Sequence, residues 1–360
     1  MSWDERVSRH QDNTFVFITF DRADYSRSSV YLDGLRSKGY LPTVIELKMN
    51  GVKRYSELRR ALKKIKNNNP VYVIMNPCHI LTPLVRLLAG NFVVLDAGWP
   101  LLDGLITREV NSKFSVLKLK TFFIDYFAAH FATLILLETN EQVKHYSRKF
   151  LVSRNKCKVL FTGVNETKFT KANRNKLEIH ETNASSFKVF YRGQHTPLAA
   201  IEILAEVSFL LENHNIDFEI FSPGLPKDIV FSTKSSVHRE YQKNLDAISK
   251  SFMESSLVIG FLSSHKRLSR TIPHKAFEAA FFGKPYLTVY SLGISEFLES
   301  EIDAIFIESN NPEELAAKIL YLSKHGTELA EISKNIYSKY LSLSSQEVLT
   351  NEFVKATSRI

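Results

Sequence analysis

The sequence predicts an α/β protein that consists of two doubly wound domains. Short apolar runs, of the kind that form buried parallel strands, alternate with segments of helical periodicity along most of the chain. The alternation occurs in two rounds, and a polar stretch without an apolar period, residues 161–186, separates them. The length of 360 residues and a composition of 44% hydrophobic and 12% aromatic residues suit two globular domains.

The first round predicts an N-terminal domain over residues 1–160. Its strand-like runs are TFVFITF (14–20), PTVIEL (42–47), VYVIM (71–75), NFVVLD (91–96) and TLILLE (133–138). Helical segments follow most of them, and such alternation is typical of a parallel sheet that is covered by helices on both faces.

The second round predicts a C-terminal domain over residues 187–335, after an interdomain linker at 161–186. Its strand-like runs are FKVFYRG (187–193), DFEIFSP (217–223), SSLVIGF (255–261), PYLTVY (285–290) and IDAIFIE (302–308). A C-terminal helix over 336–360 is a candidate to pack back on the N-terminal domain. Because doubly wound sheets bind ligands outside the carboxyl ends of their strands, we expect the site in the cleft between the two domains.

Charge and cysteine content narrow the class of protein further. The chain has 47 basic and 38 acidic residues, a net charge of +9 that favours anionic partners. Cys78 and Cys157 lack the spacing of a disulfide framework or a metal site, which indicates a reducing compartment. No apolar run reaches the roughly 20 residues of a membrane span. We therefore expect a cytoplasmic protein.

The densest basic cluster is KRYSELRRALKKIKNNN, Lys53 to Asn69. It reads as a helix with Leu58, Leu62 and Ile65 on one face and basic residues elsewhere. Two interpretations stay open, a solvated surface helix and a peripheral contact with the anionic inner face of a membrane. Nucleic acid is not an expected partner, because Tyr55 is the one aromatic residue within 53–66 and base stacking needs interleaved aromatic residues.

The segment RTIPHKAFEAAFFGKPYLTV, residues 270–289, predicts a short helix between two strands. Thr271 is a candidate N-cap, Pro273 suits the first turn, and Gly283 with Pro285 ends the helix. Since the helix follows a strand, its N-terminus should lie at the carboxyl edge of the sheet, where free N–H groups and the helix dipole attract anions.

Cationic and acidic side chains accompany this predicted anion site. Arg270 precedes the helix and Lys275 lies in its first turn, and both can donate to phosphate oxygens. Glu278 lies three residues beyond Lys275. Its carboxylate could accept hydrogen bonds from two vicinal hydroxyls of a ribose whose phosphates occupy the helix end, or it could form an ordinary i,i+3 surface pair with Lys275.

Four ordered stretches resemble the GT-B glycosyltransferases, and family 4 of these enzymes in particular. The stretches are FTGVNETKF, FKVFYRGQHTPLAAIEIL, IPHKAFEAAFFGKPYLTVYSLGISEFL and NPEELAAKI. The resemblance covers essentially the whole C-terminal half, and it extends to the N-terminal half by architecture only. It implies two Rossmann-like domains that face a central cleft and a nucleoside diphosphate sugar as donor.

The resemblance also implies roles for single residues. Glu278 matches the glutamate that binds the donor ribose, and Gly193 matches the glycine of the loop under the donor phosphates. The family's arginine and lysine after this glycine are replaced by Gln194 and by Leu198 or Ala199, and Arg192 and His195 are the cations that could compensate. Arg270 replaces the family's glutamate that faces the transferred sugar, which favours a negatively charged sugar such as a uronic acid.

Two residues of the N-terminal half are candidates for catalysis. Asp96 occupies a position where relatives commonly carry a histidine at the sugar site; it could orient a hydroxyl group or cap the turn at Ala97 and Gly98. His79 follows the third strand and is expected at the cleft edge, although a lone histidine is more often structural.

The resemblance implies transfer with retention of configuration and without a metal, and the chain has no Asp-x-Asp metal signature. No cofactor is expected beyond the donor substrate. The expected acceptor is a glycan or a lipid-linked molecule, in the biosynthesis of surface polysaccharides or glycoconjugates. The alternative is a catalytically inactive sugar-nucleotide-binding protein of the same fold, which Gln194 and Leu198 motivate. Turnover distinguishes the two.

Overall fold

The computed structural model describes residues 14–20, 26–65, 69–90, 92–107, 115–173, 186–240, 244–308 and 310–358. Internal contacts divide the chain into two compact units. Unit 1 is Met1–Asn165 together with Gln346–Ile360, and unit 2 is Glu166–Ser345.

The described strands of unit 1 form a six-stranded sheet in the order β2-β1-β3-β4-β5-β6, and all pairs are parallel. They are β1 (Phe15–Phe20), β2 (Thr43–Leu47), β3 (Val71–Met75), β4 (Val93–Gly98), β5 (Leu134–Leu137) and β6 (Cys157–Val159). The central strands β3 and β4 are buried along their whole length, as expected for continuous apolar runs that are covered on both faces.

Helices cover both faces of this sheet. The described helices are α1 (Ser26–Ser37), α2 (Val52–Lys63), α3 (Thr82–Leu88), α4 (Leu101–Thr107), α5 (Val116–Phe131), α6 (Asn140–Phe150) and α13 (Gln346–Thr357), with a 3-10 turn at His79–Leu81. Buried residues of α2, α3, α5 and α6 join one core cluster with Val16 and Ile18 of β1. Buried residues of α1 and α13 join another with Phe15 and Phe17, whose side chains point to the opposite face.

The described strands of unit 2 form a second parallel six-stranded sheet, in the order β12-β11-β10-β7-β8-β9. They are β7 (Phe187–Arg192), β8 (Ile216–Phe221), β9 (Ser235–His238), β10 (Leu257–Ile259), β11 (Tyr286–Val289) and β12 (Ile305–Ile307). The strand order reverses between β7 and β10. Ligands of doubly wound sheets bind at such a switch point, outside the carboxyl ends of the two strands.

The described helices of unit 2 complete its layers. They are α7 (Glu166–Asn173), α8 (Ile201–Leu210), α9 (Leu245–Glu254), α10 (His274–Phe281), α11 (Pro312–Leu322) and α12 (Gly326–Leu343). Buried residues from β7, β8, β10, α8 and α11 share one core cluster. Two parallel sheets with helices on both faces confirm the predicted α/β class.

Three features differ from the expectations. The segment 161–186, predicted to be a linker, contains α7; residues 174–185 lie outside the described part of the chain. The single helix predicted over 336–360 is wrong, because the chain breaks between α12 and α13, where Ser344 and Ser345 both donate to the Tyr340 carbonyl. The short strands β6 and β9 were missed.

The C-terminal helix α13 belongs to unit 1, where it packs against α1. Gly34 of α1 permits this approach, because a Cβ at residue 34 would lie 1.8 Å from Thr350 Oγ1. Within the described part of the chain, no helix combines the length and the apolarity needed to cross a membrane.

Candidate functional site

The switch point of unit 2 brings two chain segments together. Strand β7 ends at Arg192, and Gly193 follows it directly. Strand β10 ends at Ile259, and the chain then passes through a loop to α10, which begins at His274. The N-terminus of α10 therefore lies at the carboxyl edge of the sheet, as the sequence predicts.

The ends of α10 have clear local causes. Gly283 adopts φ 60°, a left-handed conformation that glycine tolerates best, and it ends the helix as predicted. The N-terminal prediction is wrong, because Pro273 and not Thr271 is the N-cap, with an extended ψ of 131°. The Thr271 hydroxyl instead donates to the Arg267 carbonyl, 3.2 Å away. Among the described residues no side chain caps α10, so its first-turn N–H groups have no side-chain acceptor there.

Glu278 lies on the buried side of α10, with 3% of the residue exposed. Its Oε1 forms an ion pair with Arg192 Nη1 and lies 3.4 Å from His274 Nδ1, one turn earlier in α10. Burial alone would raise the pKa of Glu278, but Arg192 and His274 outweigh it and lower the pKa to about 2. The carboxylate is therefore ionised at neutral pH, and the interpretation of Glu278 as half of a surface pair is wrong.

Lys275 is also buried, with 5% of the residue exposed. Its Nζ lies 3.8 Å from the ring centroid of Tyr191 and 4.3 Å from that of Phe261. Among the described residues, this ammonium group has no hydrogen-bond acceptor. Burial lowers the pKa of Lys275 well below its ordinary value of 10.5, against the opposing effect of Glu278. Aromatic faces stabilise the cation in part, but an anion beside it would stabilise it more.

Gly193 provides the space that Lys275 occupies. A Cβ at residue 193 would lie 2.8 Å from Lys275 Nζ and 3.0 Å from the Tyr191 hydroxyl oxygen. A side chain at this position would therefore displace the ammonium group. The glycine predicted to lie under the donor phosphates thus lies against a buried cation.

The structure does not bring all predicted donor-site residues together. Arg192, Gly193, Lys275 and Glu278 are close to one another. His195 is directed elsewhere, since its Nε2 lies 2.9 Å from Glu202 Oε1 on α8. Leu198 and Ala199 are buried core residues, and Gln194 is exposed, so none of these three replaces the missing cations.

Arg270 lies in the loop that leads to α10 and is partly exposed. Its backbone N–H donates to the Arg267 carbonyl, 3.0 Å away. Gly293 allows the following loop to pack on this one, because a Cβ there would lie 2.6 Å from the Thr271 carbonyl oxygen. Gly293 thus has a packing role.

Asp96, a catalytic candidate of unit 1, is completely buried at the carboxyl end of β4. Its Oδ1 pairs with Arg27 Nε at 2.6 Å, and its Oδ2 accepts from the Ser28 hydroxyl at 2.9 Å. The turn at Ala97 and Gly98 is held by Asn76, which donates to the Ala97 carbonyl at 2.5 Å. Both oxygens of Asp96 thus bind the first turn of α1, an arrangement that the sequence analysis did not predict.

His79, the second candidate, is also completely buried. Neither ring nitrogen has a hydrogen-bond partner among the described residues, and Nε2 lies 4.0 Å from Asp125 Oδ1. Burial lowers the pKa of His79 to about 3, so the ring is neutral. Asp125 accepts from the backbone N–H groups of Leu101 and Leu102, at 3.2 and 3.0 Å.

Sequence reasoning missed several residues around these candidates. His274 was detectable, because it lies four residues before Glu278 on the same helix face. Tyr191 and Phe261 were treated only as strand residues, and nothing in their local sequence shows that a lysine lies between their rings. Within the described residues, no group of three or more His, Cys, Asp or Glu could hold a metal ion.

Comparisons with known proteins agree with this fold. Residues 204–346 match a family model described as glycosyl transferase-like. Among solved structures, HepE of Anabaena in complex with UDP is 12% identical, with a TM-score of 0.68 over 96% of this chain and 100% of its own. Sucrose-phosphate synthase of Thermosynechococcus elongatus is 11% identical, with a TM-score of 0.70 over 95% of this chain and 98% of its own. No curated protein sequence matches the chain.

A third solved structure, the catalytic domain of starch synthase IV from Arabidopsis thaliana bound to ADP and acarbose, is 10% identical, with a TM-score of 0.66 over 95% of this chain and 99% of its own. The chain therefore has the GT-B fold of these glycosyltransferases, with two Rossmann-like domains. Residues 204–346, which make up most of unit 2, are similar to this glycosyl transferase-like family. The resemblance predicted from the sequence is confirmed.

Proposed function

We propose that the protein transfers a sugar from a nucleoside diphosphate sugar to a glycan or lipid-linked acceptor, with retention of configuration and without a metal ion or cofactor. The observation that carries the proposal is the Lys275 ammonium group. It is buried at the N-terminus of α10, beside Gly193, without a hydrogen-bond acceptor among the described residues. Such a group suits a phosphate oxygen as its missing partner.

The chemistry that we propose follows from the charges at this edge. Departure of the nucleoside diphosphate develops negative charge on the pyrophosphate, which the Lys275 ammonium group and the first-turn N–H groups of α10 stabilise. Arg192 and His274 keep Glu278 ionised and fixed, so that its carboxylate can accept hydrogen bonds from the ribose hydroxyls. The side chains of Lys275 and Glu278 are both in position before the donor binds, which limits the reorganisation that the reaction requires, and Lys275 completes its protonation as the phosphate binds.

For unit 1 we propose positioning roles. Asp96 is fully buried and both of its oxygens are engaged, so it holds the first turn of α1 and does not contact the sugar. His79 is buried beside Asp125, so it likewise positions neighbouring residues and does not contact the sugar. The acceptor is then bound by other groups of unit 1, and synthesis of a surface polysaccharide or glycoconjugate in the cytoplasm is the pathway class that we propose.

The donor proposal has support from the relatives. HepE was crystallised with UDP and with UDP-glucose, which makes uridine nucleotides the first donors to test. Arg270, eight residues before Glu278, supports a negatively charged sugar, so UDP-glucuronic acid should bind more tightly than UDP-glucose.

The test is a thermal-shift screen against UDP, GDP, ADP, TDP and their common sugar conjugates, with wild type, Glu278→Gln and Glu254→Gln. Glu254 is a matched control, because it pairs with Lys188 in the same unit but is much more exposed. Saturation at 100 Kd stabilises the folded state by about 2.7 kcal/mol. We expect the nucleotides that carry one particular base to stabilise wild type and Glu254→Gln but not Glu278→Gln. No shift in melting temperature with any nucleotide, or an equal shift in all three proteins, would contradict the proposal.

One specific observation favours the second candidate function, an inactive sugar-nucleotide-binding protein. The positions where relatives carry cations hold exposed Gln194 and buried Leu198 and Ala199. Release of nucleoside diphosphate from the stabilising donor, measured with and without acceptors, separates the two. Slow hydrolysis alone is enough to exclude an inactive protein, whereas tight binding without any release supports it.

A further inference from the structure

Helix α5 carries an apolar ridge that unit 1 leaves exposed. The ridge consists of Val116, Leu119, Phe123 and Phe127, whose spacing of three, four and four residues places them on one helix face. Val116 is 84% exposed, and Phe123 and Phe127 are 46% and 48% exposed. Their rings stack with centroids 6.3 Å apart. At the helical rise the ridge is about 16 Å long.

The neighbouring helix extends this apolar surface. Helix α3 packs against α5 and exposes Leu87 and Leu88. The opposite face of α5 is occupied, because Asp125, Ala128 and Ala129 are buried against the core. The exposed ridge is therefore not required for packing within the described part of unit 1, and contiguous apolar surface of this kind marks an interaction site.

Basic side chains border the ridge. Lys120 is exposed on α5 itself, between Leu119 and Phe123. Helices α2 and α6 share the core cluster of α3 and α5, so all four cover the same face of the sheet. The outward residues of these two flanking helices include the exposed basic side chains Lys53, Arg59, Arg60, Lys63, Lys144 and Arg148.

We propose that the outer surface of this helical layer, formed by α2, α3, α5 and α6, docks on an anionic lipid bilayer. The α5 ridge enters the boundary between headgroups and acyl chains, and the basic residues of α2 and α6 bind anionic headgroups on either side. An apolar helix face that is bordered by lysine and arginine is the pattern of helices that lie in a membrane interface.

A second protein surface fits this layer less well. Protein interfaces are depleted of lysine at their core, whereas here a lysine lies along the ridge and basic residues flank it on both sides. Acidic side chains are few on the flanking helix α2, where Glu57 stands among the basic residues. The charge of this surface therefore complements anionic headgroups. The proposal is independent of the proposed function, because binding to lipid needs no nucleotide sugar.

The experiment is flotation of the full chain with vesicles of phosphatidylcholine, alone or mixed with phosphatidylglycerol. Phe123→Gln with Phe127→Gln removes the apolar contact, and its matched control is Phe209→Gln with Leu210→Gln, two residues of unit 2 that are exposed to the same degree. We expect the ridge variant to bind mixed vesicles at least about tenfold more weakly than wild type, since burying a phenylalanine from water contributes about that factor or more. The control should bind as wild type does.

Charge reversal tests the second contribution. Arg59→Glu with Lys63→Glu should weaken binding to mixed vesicles, and 0.5 M salt should have the same effect on wild type, because salt screens exposed charges. The matched control is Lys227→Glu with Lys324→Glu, two exposed lysines of unit 2. Circular dichroism of each variant verifies that it is folded.

Insertion is measured directly with Phe123→Trp. Its fluorescence should shift to the blue and be quenched by lipids brominated in the acyl chain, whereas Phe209→Trp should show neither change. Equal vesicle binding by wild type and the ridge variant, or no quenching of Phe123→Trp, would overturn the proposal. Self-association that the ridge variant abolishes, without vesicle binding by wild type, would instead identify an interface between copies of this chain.

Discussion

Asp125 should make unit 1 less stable as the pH rises through neutrality. The carboxyl group is completely buried, and it accepts from the backbone N–H groups of Leu101 and Leu102 at the start of α4. Burial, with a smaller contribution from Asp103, raises its pKa, the two backbone N–H groups and Lys149 oppose the rise, and the net result is a pKa raised from the ordinary value of 3.8 to about 7. The neighbouring His79 ring is neutral and adds no cation.

The sign and size of the effect follow from linkage. Between pH 3.8 and 7 the folded state binds more protons at Asp125 than the unfolded state does, so stability falls with rising pH in this window. At about 1.4 kcal/mol per pH unit the whole window amounts to about 4 kcal/mol. Between pH 5 and 8 the loss is about 3 kcal/mol, because part of the window lies below pH 5.

Asp125→Asn tests this reasoning, since the amide oxygen can still accept from the first N–H groups of α4 and the side chain cannot ionise. Urea unfolding, followed by tryptophan fluorescence, reports on unit 1 through Trp99, which directly follows β4. We expect the stability of Asp125→Asn relative to wild type to increase by about 3 kcal/mol from pH 5 to pH 8. Asp228→Asn, a change at an exposed carboxylate, should show no such increase; parallel curves for wild type and Asp125→Asn would refute the reasoning.

Three further predictions concern both units. Lys275 should take up as much as about one proton when a nucleoside diphosphate binds, because the phosphate raises its depressed pKa. Calorimetry in buffers of different ionisation enthalpy measures this proton uptake, and Lys275→Met should abolish the uptake. Gly193→Ala should weaken nucleotide binding about tenfold or more, because the new Cβ displaces Lys275 Nζ, and it should change the melting temperature little. Unchanged affinity would contradict a contact between Lys275 and the phosphates. Gly34→Ala should lower the free energy of unfolding by about 1–3 kcal/mol, through the clash with Thr350 Oγ1, and Thr350→Ala should restore part of the loss in a double-mutant cycle.

The central strands were predictable because their sequences are continuous apolar runs, and such runs are shielded from water only when both faces of the strand are covered. Strand β3 has the predicted bounds, β7 differs from its predicted run by one residue at its C-terminal end, and β11 differs by one residue at each end. The missed strands β6 and β9 lie at sheet edges. An edge strand pairs on one side only, and SSVH and CKV are too short and polar to carry a periodic signal.

The candidate site was predictable in part for a related reason. Glu278 and Lys275 share a short helix whose position after a strand fixes the edge of the sheet on which they lie. Gly193 was identified by resemblance alone, and its physical role became visible only as the space beside Lys275 Nζ. Local spacing left open whether Glu278 binds a ribose or pairs with Lys275, and it gave no sign of Arg192, 86 residues away in the chain, which forms the ion pair.

The sequence by itself determined the α/β class, the two rounds of strands and helices, and the helix that presents Glu278 at a sheet edge. These properties depend on hydrophobic periodicity and on helix-ending residues, which are local along the chain. The tertiary structure alone decided that Asp96 pairs with Arg27, that Lys275 lies between two aromatic rings, and that Asp125 is buried beside a neutral histidine. Each of these joins residues from different strands and helices, and burial, which only the folded chain creates, sets the charge of each group.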